Sequence, residues 1–317
     1  MARKTPPLEP VASIVQRLAV LLSAGVAPGS AWGYLAESQS GPIGQRLSAI
    51  AARSAGGPIA EAILSELPAP KDSRAHRSAP ASDTTAWRGL AAAWLVATDA
   101  GASLAPSLRD FAESLRDLAR TQRELGVALA GPAATAKMVM VLPLVGVLFG
   151  LALGFDTLGV LFTTVPGGIC LVLGVALMLA ARSWNRRLLR AAAPGDLTPG
   201  LHLELLAIAV SGGASIDRAR QAVAEAREHC DLPDSDDGTA VDEVLDLSRR
   251  AGVPAAALLR SEAEQTRRAA RSDAEEKAAT LTVTLMLPLG LCVLPAFMLL
   301  GVAPLMIAVI SSTALSF

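Results

Sequence analysis

The chain has 317 residues, of which 52% are hydrophobic and 18% charged, and its formal net charge is −1. The charged fraction is below the roughly 25% typical of soluble domains, and the mean hydropathy is +0.44, so an ordinary soluble protein is disfavoured. The near-zero net charge argues against nucleic acid as a partner, because phosphate binding needs a surplus of basic groups.

Residues 1–137 predict a helical bundle behind a short N-terminus. Residues 1–10 are Pro-rich and are expected to be disordered. From Val11 to Leu22 apolar residues recur at helical spacing, and Gly25 is expected to end this helix in a left-handed conformation. Short helices are predicted over 31–39, 43–55 and 59–67. Residues 68–86 are rich in Pro, Ser and charge and predict a flexible loop, with basic residues that are either solvated or in contact with anionic lipid or a partner.

A helix is predicted over 87–99, and Gly101 follows it as a stop signal. A charged helix is then predicted from Leu104. One face is apolar at helical spacing, and the opposite face carries basic side chains. That face is either a solvated stalk or a docking surface for a cytoplasmic protein. Its candidate docking residues are Arg109, Arg116, Arg120 and Arg123.

Residues 138–181 predict a transmembrane hairpin. The run is apolar between Lys137 and Arg182, and Asp156 is the one charge inside it. A membrane helix needs about 20 apolar residues, and lipid tolerates only helical backbone, so both arms should be helices. The alternative is a buried helix pair in a soluble domain. Asp156 is either a turn residue or a proton relay, and Pro143 and Pro166 are predicted membrane breaks.

Arginines follow the second arm in residues 182–200, which are predicted to be a basic end and a linker. Arg182, Arg186, Arg187 and Arg190 place this end in the cytoplasm by the positive-inside rule. Two crossings return the chain to the side where it started. The sequence therefore predicts that residues 1–137 are also cytoplasmic and that the protein is a multi-pass protein of the plasma membrane.

Residues 201–277 repeat the first part, so two tandem cytoplasmic bundles are predicted over 11–137 and 201–277. Gly213 and Gly252 stand where the first copy has Gly25 and Gly101, and these four glycines are expected to form structural turns. A second charged helix follows, and both copies enter the membrane from the same side, as in a parallel repeat. Its candidate docking residues are Arg260, Arg267 and Arg271.

Residues 278–317 lack any charge and predict a second membrane segment, either a hairpin that breaks near Gly301–Pro304 or a single crossing with an apolar tail. Pro288 and Pro295 are further predicted membrane breaks, and the segment around Pro288 matches the one around Pro143. The expected fold is therefore an all-α membrane protein with two tandem helical bundles and about four transmembrane helices.

The segments LLSAGV and DAGASLAPSL, and the pattern EEKA followed by LPL and LPAF, resemble the type II secretion F-domain family. The two copies are similar to the first Tad (Flp) pilus platform protein and to its companion, without the N-terminal membrane segment of longer relatives. The resemblance implies an oligomeric inner-membrane platform whose partners are a secretion-family motor ATPase, pilin or pseudopilin subunits and membrane lipids.

No catalytic motif is found in the sequence. It contains no GxxxxGK[ST] phosphate loop, no HExxH and no CxxC pair, and its three histidines are scattered. We therefore expect that the protein is not an enzyme and that it has no catalytic residue, no cofactor and no metal site. A small transporter or channel and a membrane-tethered signalling scaffold are the alternative functions.

Overall fold

The structure is a computed structural model that describes residues 8–68, 81–152, 157–191, 198–233, 238–304 and 306–307. Regular secondary structure in these ranges is helical, which confirms the all-α prediction for them. The helices are α1 (Leu8–Ser23), α2 (Pro28–Ser38), α3 (Gly41–Ser54), α4 (Ile59–Ser65), α5 (Ala81–Asp99), α6 (Leu104–Ala152), α7 (Thr157–Thr163), α8 (Val165–Ala191), α9 (Leu201–Ser211), α10 (Ile216–His229), α11 (Gly238–Ala251), α12 (Ala255–Thr284), α13 (Met286–Pro288) and α14 (Leu294–Phe297), with π-helical turns at Leu289–Val293 and Met298–Val302.

The chain divides into two compact units. Unit 1 contains the described residues within Met1–Arg123 and Gly195–Arg271, and unit 2 contains those within Glu124–Pro194 and Ser272–Phe317. Unit 1 therefore takes helices from both copies of the sequence repeat.

Two largely buried helices, α5 and α9, pack against each other in unit 1. Residues 90–94 of α5 and 203–209 of α9 are buried without interruption. A helix that is apolar on all sides must be covered on all sides, so neither copy alone can bury its own central helix. One hydrophobic core consequently joins Trp32 and Trp87 of the first copy to Leu206 and Val223 of the second. The division into two tandem bundles is not confirmed.

Two segments expected to be irregular begin helices instead. α1 starts at Leu8, whose side chain is fully buried, and its Pro10 lies in the first turn, where proline is tolerated. α5 starts at Ala81, inside the predicted loop 68–86. Asp83 lies in its first turn, where a carboxylate is favoured by the helix dipole, and forms an ion pair of 3.3 Å with Arg46. Residues 1–7 and 69–80 lie outside the described ranges.

Unit 2 is assembled through close contacts at small residues. A Cβ atom built on Gly146 of α6 would lie 3.1 Å from the Cα of Gly301, and one on Gly174 of α8 would lie 2.4 Å from Leu300. Helices in lipid associate through such contacts, because tails as apolar as the side chains offer no hydrophobic driving force. The two glycines thus let α6 and α8 approach the C-terminal apolar segment.

By length and composition, two described helical stretches qualify as membrane spans, Val165–Leu188 and Ala255–Val302. The four predicted spans are not confirmed, and Asp156 lies outside the described residues. The second arm of the predicted hairpin is interrupted at Thr164, between α7 and α8. α8 continues to Ala191, so the residues predicted as the basic end of the second arm form the last turns of this helix.

The four prolines predicted to break membrane helices lie in different surroundings. Pro166 lies in the first turn of α8, and Pro288 and Pro295 lie at changes between α-helical and π-helical geometry. Proline has no N–H to bond the carbonyl four residues earlier. A wider π-helical turn accommodates this missing hydrogen bond. By contrast, α6 continues through Pro143 as one helix. The path is also helical from Gly301 to Pro304, and the C-terminal hairpin stays a prediction because residues 308–317 are outside the described part.

Candidate functional site

The predicted docking arginines lie in unit 1, and they differ in exposure and in whether an acidic residue is paired with them. Arg109 and Arg116 on α6 are exposed and form no ion pair with the described residues. Arg123 is paired with Glu9 of α1, and Arg260 Nε of α12 lies 3.0 Å from Asp110 Oδ2 of α6. Arg120 and Arg271 are each engaged in a further interaction.

Arg267 contacts the most deeply buried acidic side chain among the described residues, Glu204 of α9, which is 2% exposed. Arg267 Nη1 donates a hydrogen bond of 3.2 Å to Glu204 Oε2, and the Ser114 hydroxyl of α6 lies 3.5 Å from the same oxygen. Ser114 also donates to the carbonyl of Asp110 at 3.1 Å. Glu204 therefore connects α9 to both charged helices, α6 and α12.

The environment of Glu204 opposes its ionisation. Burial raises the pKa of its carboxyl, while the charge and hydrogen bond of Arg267 lower it by less. Its Oε1 has no hydrogen-bond partner among the described residues. Breaking a buried pair by removing one partner is strongly destabilising, because the remaining charge is left uncompensated. Arg267 is thus held by an internal pair, and its predicted place in a docking surface stays a prediction.

A small cavity lies beside this pair and is lined in part by Phe111, Thr198 and Leu201. Its volume is about 10 Å³, which is close to the space that a single water molecule needs. The cavity is therefore too small for an organic substrate, and the cluster around Glu204 serves to hold helices together.

The repeat explains why Arg116 and Arg267 differ. The two arginines stand at the same distance after Gly101 and Gly252, and Gln16 and Glu204 stand at the same distance before Gly25 and Gly213. The first copy thus carries a neutral side chain where the second carries the buried carboxylate. Arg116 is exposed and has no ion-pair partner among the described residues, in contrast to Arg267.

The four glycines predicted at turns adopt positive φ angles. The values are +84° for Gly25, +67° for Gly101, +89° for Gly213 and +65° for Gly252. L-amino acids with a side chain rarely adopt this conformation, which glycine adopts without penalty. Each of the four follows the end of a helix, so equivalent turns recur in the two copies.

Sequence reasoning missed Glu204, Ser114 and Asp110. The signal for Glu204 was a single carboxylate inside the apolar run LELLAIAV, a pattern typical of a buried, paired charge. Within the described residues, no group of three or more His, Cys, Asp or Glu side chains is placed to hold a metal ion.

Comparison with known proteins gives one informative match. Residues 14–152 match the family described as type II secretion system (T2SS), protein F. The matched segment is less than half of the chain and runs from α1 to the end of α6, and it supports the F-domain family. No curated protein matches the sequence significantly.

Proposed function

We propose that this chain is a non-enzymatic inner-membrane platform of the Tad (Flp) pilus kind. The observation that carries the proposal is the match of residues 14–152 to the F-domain family, which is the inner-membrane platform of type II secretion and type IV pilus systems. The second copy of the repeat, α9 to α12, would supply the companion platform protein, so that one chain does the work of two.

The proposed mechanism uses α6 and α12. Each of these helices carries charged residues at its start and apolar residues at its end: α6 runs from Leu104 to Ala152 and α12 from Ala255 to Thr284. A continuous helix can transmit rotation or tilt along its length. In the proposal, a cytoplasmic secretion-family ATPase moves unit 1, and α6 and α12 pass that movement to pilin subunits being extracted from the membrane.

The docking surface that we propose for the ATPase is the exposed face of α6, with Arg109 and Arg116 at its centre. These side chains are exposed and have no ion-pair partner among the described residues, whereas Arg123, Arg260 and Arg267 are each paired with an acidic residue of unit 1. Free guanidinium groups suit an acidic partner surface, since they can bind carboxylates in a bidentate geometry.

The transporter alternative has one structural point in its favour, the π-helical turns in the C-terminal apolar segment, because such turns often mark functional sites. Three threonines of the described apolar segments argue against it. The hydroxyls of Thr163, Thr164 and Thr284 each donate to the carbonyl four residues earlier, at 2.6, 2.7 and 2.9 Å. These groups are therefore already satisfied and offer little to a solute.

Co-purification tests the proposal. The full chain, purified in mild detergent, is expected to capture the secretion-family ATPase of the same organism, and the variant Arg109→Glu/Arg116→Glu to lose it. The matched control is Arg249→Glu/Arg250→Glu, two exposed arginines of α11 whose ion pairs with Asp246 are solvent-exposed and contribute little. Absence of the ATPase from the wild-type sample, or equal capture by the α6 variant, would contradict the proposal.

A further inference from the structure

The last turns of α8 carry three exposed arginines, Arg182, Arg186 and Arg187. None has an ion-pair partner among the described residues, and the sequence contains no acidic residue between Asp156 and Asp196. Unpaired guanidinium groups in such a cluster repel one another, so the binding of anions lowers the free energy of the cluster.

The packed face of α8 lies elsewhere on the helix. Met178 and Ala181 contact Cys292 and Val293 of the C-terminal segment, and Asn185 is buried with 8% exposure on the same side. Residues 178, 181 and 185 follow helical spacing, so this face is occupied by protein. The three arginines therefore project away from the interior of unit 2.

The same outward side carries an apolar stripe before the arginines. Val172, Val175 and Leu179 are exposed, and Arg182 and Arg186 continue their spacing along the helix. Trp184, which is 38% exposed, lies among the arginines. An apolar stripe that ends in arginines, with a Trp in the same turns of the helix, is the arrangement of a helix surface that passes from acyl chains into headgroups.

We propose that Arg182, Trp184, Arg186 and Arg187 form a collar that binds the phosphodiester headgroup of an anionic phospholipid. The guanidinium groups would take the phosphate oxygens in a bidentate geometry, while the indole lies at the level of the headgroups. The adjoining apolar stripe favours a lipid over a soluble phosphate, because the acyl chains of the bound lipid can cover the stripe. The inference rests on the membrane placement in the proposed function.

Native mass spectrometry tests the collar. The full chain is reconstituted in nanodiscs of equal parts phosphatidylglycerol and phosphatidylcholine, released with mild detergent and weighed with its retained lipids. Each arginine near an anionic surface contributes about five-fold to binding. Wild type should retain phosphatidylglycerol in preference to phosphatidylcholine, Arg186→Gln should lower the preference about five-fold, and Arg182→Gln/Arg186→Gln/Arg187→Gln should lower it at least about ten-fold.

The control is Arg218→Gln/Arg249→Gln/Arg250→Gln, which removes three exposed arginines from α10 and α11 of unit 1 and should leave the preference unchanged. Equal retention of both lipids by wild type, or an undiminished preference in Arg186→Gln, would overturn the inference. Displacement of the lipid by 10 mM inorganic phosphate would also overturn it. Loss of ATPase capture with the lipid preference intact would count against the proposed function alone.

Discussion

Glu204 is the residue through which three helices of unit 1 are connected, since it contacts Arg267 of α12 and Ser114 of α6 from its own position on α9. The nearby Asp110 and Arg260 also act on its charge, in opposite directions. Both charged helices therefore contact the same buried carboxyl group of α9.

The pH dependence of stability should report on Glu204. Burial raises its pKa in the folded chain above the unfolded value, so the folded state binds more protons between the two values. The contribution of Glu204 to the free energy of unfolding therefore increases as the pH falls through that window. We expect Glu204→Gln to lose this contribution, so the Tm of wild type relative to that of the variant should increase as the pH is lowered toward the unfolded pKa, followed by tryptophan fluorescence. A Tm difference between the two proteins that does not change with pH would contradict the assignment.

Cys230, at the end of α10, should be chemically inert in the folded chain. Burial raises the pKa of its thiol to about 12 from 9.0, and the thiolate is the reactive form. In a Cys170→Ala/Cys292→Ala background, iodoacetamide at pH 8 should modify folded Cys230 at least about tenfold more slowly than the unfolded chain, because the lower thiolate fraction outweighs the higher nucleophilicity of a more basic thiolate. Equal rates in the folded chain and in denaturant would show that Cys230 is accessible.

At the scale of elements, the start of α9 depends on a close approach to α12. Gly200 has a φ of +75°, and a Cβ atom there would lie 2.7 Å from the carbonyl oxygen of Ala263. Both the backbone conformation and the backbone contact exclude a side chain. This approach brings Glu204 of α9 within reach of Arg267 of α12.

Gly200→Ala should therefore destabilise the protein by more than about 1 kcal/mol, because alanine at positive φ is strained. Gly33→Ala is the matched control. Gly33 lies inside α2 with open space around its Cα, and alanine in a helix is favoured over glycine by roughly 0.8–1 kcal/mol. The two variants should shift Tm in opposite directions, and a Gly200→Ala variant as stable as wild type would contradict the described contact.

At the scale of the whole molecule, local patterns predicted much of the helical order. Apolar periodicity and glycine placement located the ends of α1, α5, α9 and α11, because these signals depend on neighbours a few residues away in sequence. The single core of unit 1 was missed, although α5 and α9 have almost no polar face and so need cover from outside their own copy. That feature was available in the runs LAAAWLVA and LELLAIAV.

The partners of the arginines could not be predicted from the sequence in the same way. Arg109 and Arg260 stand at the same distance after equivalent glycines, yet Arg109 is exposed and Arg260 faces Asp110 of the other copy. An ion pair between distant segments depends on how helices pack, and periodicity within one helix carries no information about it. The proposed docking surface is consequently one face of α6, and it no longer includes a face of α12.

Filament assembly in cells tests the central claim, that α6 and α12 transmit movement from a cytoplasmic unit to the membrane. Two glycines inserted after Arg123, and two after Lys277, rotate the following residues by roughly 200° and weaken each helix. The account predicts loss of pilus assembly with normal protein level and membrane insertion. The same insertion after Ser73, in the Pro- and Ser-rich stretch, should leave assembly intact. Normal pili in cells carrying both helix insertions would contradict the account.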